Sequence, residues 1–377
     1  MNIGVFDISI AELCLAGVLL LAFAYEVYFY LRYMRIRNTD RAADSTQTDT
    51  PGVTVIVCAK NEAVNLRYYV QSLLTQDYPN YEVILVNDGS EDNTQAVIDE
   101  YVNSCTRVRS TFVPRDARLK STKKLGLTLA AKAATYDYLL LTDADCRPES
   151  KHWISAMMAG FSRPEVEIVL GYGGYFSEES MLNDVIQYDT LFNGLHYLGA
   201  AATGKPYMGV GRNLAYRKET FFQHGGFSDQ MNERAGDDDL FVNKVATRAN
   251  TAIVTSQDSI TWSIPKHSWH DWWLQKRRHV SVSPAYKPVT KHHLTHEPVM
   301  RGVFYGIVIA LFVLGEPLTM CLALGLLLIR LLIQIVILNN GAKRFGQPKF
   351  GLEVMWLDIF LPLVTAVAMI GKKRKNW

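Results

Sequence analysis

Two apolar stretches, one near each end of the chain, limit what these 377 residues can become. Residues 10–30 carry no charge besides Glu12 and Glu26. Roughly 20 such residues suffice to cross a hydrocarbon core of about 30 Å. Tyr25, Tyr28, Tyr30 and Tyr33 suit a membrane interface, and Arg32, Arg35 and Arg37 follow, which predicts a chain entering the cytosol after this helix. A cleaved leader would carry its positive charges before the apolar run and small residues after it. Neither is present, so the segment reads as an uncleaved anchor, although Glu26 sits deeper than a lone carboxylate tolerates. Residues 302–338 hold few charges and break at Glu316-Pro317, which reads as two crossings joined by a tight hairpin. Residues 354–370 are apolar again but contain Asp358 and Pro362, and a basic run follows from Lys372 to Lys375. One more full crossing would strand that tail outside. The last segment is therefore re-entrant or interfacial, or it breaks the positive-inside rule.

A net charge of only +2 gives no footprint for a nucleic-acid partner. The five cysteines (Cys14, Cys58, Cys105, Cys146 and Cys321) form no paired motif, so a reduced, cytosol-facing compartment fits and a disulfide framework does not. Residues 39–50 are a short polar linker. After it, β-rich runs at 53–58, 82–87 and 138–142 alternate with helical patterns at 63–74, 93–103 and 124–134. Such alternation predicts βαβ units and a mostly parallel sheet.

In an open α/β sheet, ligands bind at the carboxyl ends of strands. Three predicted strands end there in polar groups: Asn61 and Glu62, then Asp88, then Asp143 and Asp145. The last two stand two apart and so project together. They are hard oxygen ligands suited to Mg2+ or Mn2+, which also hold phosphates. One polar strand end is ordinary punctuation, but three on one rim argue for a nucleotide and its metal.

Further along, Gly209 and Gly211 precede a short strand, where absent side chains let backbone approach a ligand. Asp237, Asp238 and Asp239 are consecutive, before a helical pattern at 240–248. Helix capping explains one or two of these mutually repelling acids, and a general base explains the third. Residues 269–280 are aromatic on one side and carry Gln275, Lys276, Arg277 and Arg278, as an amphipathic helix on a bilayer surface would. An arginine there can also neutralise a diphosphate. His292, His293 and His296 lack carboxylate company and a clear helix, and are assigned a structural or surface-loop role.

The motifs Lys-Asn-Glu (60–62), Asp-Gly-Ser (88–90), Asp-Ala-Asp (143–145), Gly-Asp-Asp-Asp-Leu (236–240) and Gln-Lys-Arg-Arg-His (275–279) resemble, in this order and spacing, those of the inverting family 2 glycosyltransferases. The likeness covers roughly residues 53–281 and is to the membrane-embedded branch of cellulose, chitin, hyaluronan and poly-N-acetylglucosamine synthases. It implies a GT-A fold: an α/β domain with a mostly parallel sheet, flanked by N- and C-terminal transmembrane helices. By the resemblance, Asn61, Glu62, Asp88, Lys123 and Asp143 would bind the donor nucleotide. Asp145, with Asp143, would hold the metal. Alignment on the final Asp-Leu of the family pattern makes Asp237 the base, with Gly236 where a glutamate is usual; alignment on the paired acids gives Asp238. Asp237 is preferred. Gly211, Asn213, Gln275, Arg278 and His279 are expected at the diphosphate and acceptor, His279 standing where the family has tryptophan.

The implied reaction is inverting transfer from a nucleotide-sugar, expected to be a UDP-sugar, to a hydroxyl of a membrane-associated glycan or polyprenyl-lipid acceptor. A β-linked cell-surface product would result. Alternatives are a processive β-polysaccharide synthase, a nucleotidyltransferase and an inactive membrane scaffold. Absence of the tryptophan argues against processivity. The expected organisation is an anchor (1–34), a linker (35–50), the transferase domain (51–265), an interface segment (266–300) and a C-terminal membrane region (301–377). The expected setting is a bacterial inner membrane, with the transferase domain cytoplasmic and in contact with membrane lipid.

Overall fold

A computed structural model describes residues 8–38, 50–115, 121–231, 233 and 235–370. Most of the polar linker and the basic tail lie outside the described residues. Helix α1 (Ile10–Tyr33) starts in a capping box, where Ser9 and Glu12 each accept the other's backbone amide. The predicted alternation follows: β1 (Val53–Ala59), α2 (Ala63–Leu74), β2 (Tyr81–Asp88), α3 (Thr94–Ser104), β3 (Val108–Val113), α4 (Thr122–Ala133) and β4 (Tyr138–Asp143).

Strand β1 pairs in parallel with both β2 and β4, and β2 with β3. Val53, Val55, Val57 and Ala59 pack with Leu66, Val70 and Leu73 of α2 and with Val97 and Ile98 of α3. Ile56 faces the other way, in the core that holds Leu127, Ala130 and Ala131 of α4. Both faces are therefore covered, which is why these strands read as unbroken apolar runs. Register places Cys58 beside Asp143 and Ala59 beside Asn87, so the three polar strand ends share one rim.

Shorter elements complete the domain: β5 (Cys146–Pro148), α5 (Trp153–Ala159), β6 (Ile168–Leu170), β7 (Gly173–Tyr175), α6 (Met181–Ala202), β8 (Leu214–Arg217), α7 (Lys218–Gln223), α8 (Asp239–Val245), β9 (Thr251–Ile253) and β10 (Thr261–Ser263). The main sheet runs β3-β2-β1-β4-β8-β6-β9, and a second sheet runs β5-β10-β7. Strand β8 is antiparallel to both neighbours. Helix α8 ends at Val245, short of the predicted Arg248, because residues 246 and 247 leave the helix before the turn into β9.

Helices α9 (Trp269–Val280), α10 (Pro288–Leu314), α11 (Pro317–Arg344) and α12 (Val354–Ile370) close the chain. Among the described residues, three helices, α1, α10 and α11, are long and apolar enough to cross a membrane. They pack through Leu19, Ala22, Phe304, Val308, Leu311, Ala323 and Leu326. The three histidines sit on α10, within a helix rather than a loop. Helix α12 is shorter and packs against α6, α9 and α11. All five cysteines are free.

The buried charges of these helices answer one another. Glu26 pairs with Arg330 at 2.9 Å, and Arg330 pairs with Asp358 at 2.8 Å. Arg301 reaches Asp358 at 3.0 Å and also pairs with Glu297. Gln334 donates to Asp358 at 2.6 Å and to the Tyr188 hydroxyl at 3.2 Å, tying the bundle to α6 of the domain. Phe29, Tyr30 and Tyr33 of α1 belong to the same core as β2 and α4. The domain thus sits directly on the bundle rather than swinging from the linker.

Candidate active site

The turns after β1 and β2 lock together. Asn61 adopts the left-handed φ of 56°, a conformation asparagine tolerates. Its amide donates to Ser90 Oγ at 3.0 Å, and its Oδ1 accepts the Glu91 amide at 2.8 Å. Asn61 therefore shapes the rim. The Glu62 amide donates to Thr94 Oγ1 at 2.9 Å, while its carboxylate takes Asn65 at 2.5 Å. Burial raises the Glu62 pKa, and Asp145 and Asp143 across the cleft add to the rise. Asp88 is buried, and its Oδ1 has no partner among the described residues. Burial raises its pKa against the pull of Thr122, Lys60 and Lys123.

Asp143 ends β4 and Asp145 lies just beyond it. Their carboxylates and the Cys146 Sγ fall within 4.8 Å of one another. Burial keeps Cys146 a thiol, and its Sγ is 2.9 Å from Ser263 Oγ. The usable donors are therefore carboxylate oxygens, which fit a hard divalent cation. Burial and the neighbouring Asp143 raise the Asp145 pKa. Burial opposes the Asp143 charge too, yet Lys123, Arg212 and Arg278 outweigh it and hold that pKa low.

Lys123 joins the two halves of the site. Its Nζ lies 2.9 Å from Asp143 Oδ1 and 3.0 Å from Asp237 Oδ2. The three consecutive aspartates have separate partners. Asp238 accepts the Gly211 amide at 2.6 Å and the Asp239 amide at 2.8 Å, capping α8. Burial, then Asp237, pushes the Asp238 pKa up to about 6. Asp239 accepts the Tyr286 hydroxyl at 2.6 Å and the Leu240 amide at 2.7 Å. Burial, then Asp238, raises it to about 8. Both oxygens of Asp238 and of Asp239 serve the structure, whereas Asp237 turns to Lys123. Gly236 stands at φ +87°, and a Cβ there would meet the Leu240 side chain at 2.6 Å. This accounts for the missing glutamate.

Helix α9 is held to the domain by Lys276 on Asp189 of α6 at 2.7 Å. Arg278 and His279 are exposed, and the Arg278 charge reaches Asp143. Gln275 faces inward and donates to the Tyr175 hydroxyl at 3.1 Å. Asn213 is not brought to the cleft. It is fully buried, donating to the carbonyls of Tyr172 (2.7 Å) and Ser259 (2.6 Å) and accepting from Trp153 Nε1 at 3.1 Å. An amide beside a glycine loop reads as a ligand contact in sequence, but here it stitches strands. The sequence reading passes over Arg212, although it lies between Gly211 and Asn213. It also passes over Tyr175, which follows two glycines.

Residues 54–225 match the profile of Glycosyl transferase family 2. The chain carries a family 2 glycosyltransferase domain. A poly-β-1,6-N-acetyl-D-glucosamine synthase of Staphylococcus epidermidis is 26% identical over 119 residues, 32% of this chain and 28% of that protein. Its counterpart in Staphylococcus aureus strain COL is 27% identical over the same shares. The match thus spans under a third of these relatives' length. The fold also resembles a mannosyltransferase from Pyrobaculum calidifontis, solved with GDP-Man and Mn2+. The TM-score is 0.60 at 19% identity, over 96% of this chain and 100% of that one. The family 2 domain is accordingly of GT-A type, an α/β domain with a mostly parallel sheet.

Proposed function

We propose that this protein is a membrane-bound inverting glycosyltransferase. It moves a sugar from a nucleoside diphosphate donor, expected to be a UDP-sugar, to a hydroxyl of a glycan or polyprenyl-lipid acceptor at the cytoplasmic membrane surface. The observation that carries this reading is Lys123, which holds Asp143 and Asp237 to a single ammonium. Metal acid and candidate base thereby face one cleft.

The Asp88 Oδ1, without a partner among the described residues, offers an acceptor for a donor group of the nucleotide, with Glu62 on the neighbouring strand end. Asp143 and Asp145 would hold Mg2+ or Mn2+. When bound, such a cation neutralises the charge that develops on the leaving diphosphate. Arg278 adds a permanent cation from the α9 side. Asp237 takes the proton of the acceptor hydroxyl as that oxygen attacks the anomeric carbon. The sugar–phosphate bond breaks in the same displacement, so the configuration inverts and no second carboxylate nucleophile is needed. A Cβ at Gly211 would crowd the Asp238 carboxylate, at 3.3 Å, next to Asp237.

His279, where the resemblance expects tryptophan, favours adding one or a few sugars per acceptor. The polysaccharide synthases among the relatives keep processive synthesis as a second reading. Incubating purified protein in native-like membranes with radiolabelled UDP-sugars and GDP-mannose, with and without EDTA, tests the proposal. Metal-dependent label on a membrane-extractable acceptor supports it. Absence of transfer and of donor hydrolysis across the panel contradicts it.

A further inference from the structure

Arg212 is a permanent cation for which none of the described carboxylates lies within ion-pairing distance. Its backbone is fixed on both sides and in the middle. Gly211 donates to Asp238, Asn213 is locked in the core, and the Arg212 carbonyl accepts Thr261 Oγ1 at 3.0 Å. The side chain then crosses β7 at Gly173. A Cβ at that position would lie 2.4 Å from Nε and 2.7 Å from Cγ, so only glycine leaves the path open. The guanidinium stacks on the Tyr175 ring at 4.4 Å, and Nη2 donates to the Gly173 carbonyl at 2.7 Å. Its Nε is buried without an acceptor among the described residues. From there its charge acts on Asp143 and Asp145. A guanidinium prepared to this degree and left without a carboxylate wants an anion.

We propose that Arg212 binds the donor diphosphate together with Arg278, and that Gln275 acts as a positioning residue through Tyr175 rather than by touching the substrate. The proposal rests on the nucleotide-sugar reading above. The chain of contacts is continuous: Gln275 donates to the Tyr175 hydroxyl at 3.1 Å, and the Tyr175 ring carries the Arg212 guanidinium. Lys276 of the same helix is clamped to Asp189, so α9 is held where Gln275 meets the Tyr175 hydroxyl. Seating of α9 against the domain is thereby transmitted to a cation at the metal rim. The ligand class is an oxyanion pair next to a divalent ion, and the nucleoside base plays no part in it.

The test is nucleotide affinity of the full-length protein in detergent with Mn2+, measured for UDP and GDP against UMP and GMP. Arg212→Met should weaken the preferred diphosphate about 10- to 100-fold. Its monophosphate should change by no more than about 3-fold, and Arg212→Lys should recover part of the loss. Tyr175→Phe keeps the ring and removes the hydroxyl link, and should give a smaller loss with the same preference for diphosphate. Gln275→Ala should do likewise and add nothing in the Arg212→Met background. Equal weakening of diphosphate and monophosphate, or unchanged diphosphate affinity in Arg212→Met, overturns the assignment while leaving the transferase reading intact. Should Arg212→Met not fold, Tyr175→Phe and Gln275→Ala decide by the same ratio. A wild-type protein that binds no nucleotide overturns the reading beneath the proposal, and the proposal with it.

Discussion

Replacing Arg330 with methionine isolates what the buried ion network contributes. Arg330 is 1% exposed and is the only hydrogen-bonding partner of the Glu26 carboxylate among the described residues. Asp358 would survive the change, since Arg301, Gln334 and Tyr305 still reach it at 3.0, 2.6 and 2.9 Å. Glu26 would be left buried and alone. Removing one partner of a buried pair costs about 3–5 kcal/mol, which lowers the melting temperature by roughly 10 °C in a protein of this size. Adding Glu26→Leu removes the stranded charge and should restore much of the loss, because apolar replacement of a buried pair is often neutral. Differential scanning fluorimetry in one detergent compares wild type, single and double variants. A single variant as stable as wild type refutes the reasoning, as does a double variant no better than the single.

Asp145→Ala should abolish Mn2+-dependent binding of nucleoside diphosphate in calorimetry, and an unchanged Mn2+ dependence would contradict the metal assignment. Asp239, raised to about 8, favours its neutral form in the fold. Its contribution is full below the ordinary carboxylate range and is lost as pH rises through about 8. The melting temperature of Asp239→Asn should therefore fall less than that of wild type between pH 6 and pH 9, and parallel pH profiles would contradict this. Arg278→Lys keeps charge but loses the planar fork. It should reduce transfer while leaving membrane partition unchanged, and loss of partition would assign Arg278 to anchoring.

The half of the domain around β1, β2 and β4 was legible because both sheet faces are buried, so each strand shows as an apolar run closed by polar residues. The helices between them kept their period, and Ala63–Leu74 forms with the predicted bounds. The strands β5, β6, β7, β9 and β10 are three residues each, too short to display a period of two. The membrane charges looked like misfits for a different reason. Glu26 and Arg330 stand 304 positions apart, and no local pattern announces such a pair. Asn213 shows the opposite failure: a polar residue in a glycine loop resembles a ligand contact until its three internal hydrogen bonds are seen. The aspartate run was half legible. Capping was foreseen for one or two acids, and Asp238 and Asp239 take those structural roles. Lys123 as the bridge between Asp143 and Asp237 required the fold, because it depends on how α4 meets the loop before α8.

In the proposed reaction Asp237 is the base of a metal-dependent sugar transfer. Asp237→Asn retains shape and hydrogen bonding but cannot take a proton. Side-by-side measurement of diphosphate affinity and transfer rate for Asp237→Asn and Asp238→Asn tests the claim most directly. Asp237→Asn should bind donor nucleotide within about 3-fold of wild type while turnover falls roughly 100-fold or more. Wild-type turnover in Asp237→Asn, or that same pattern in Asp238→Asn alone, would contradict it.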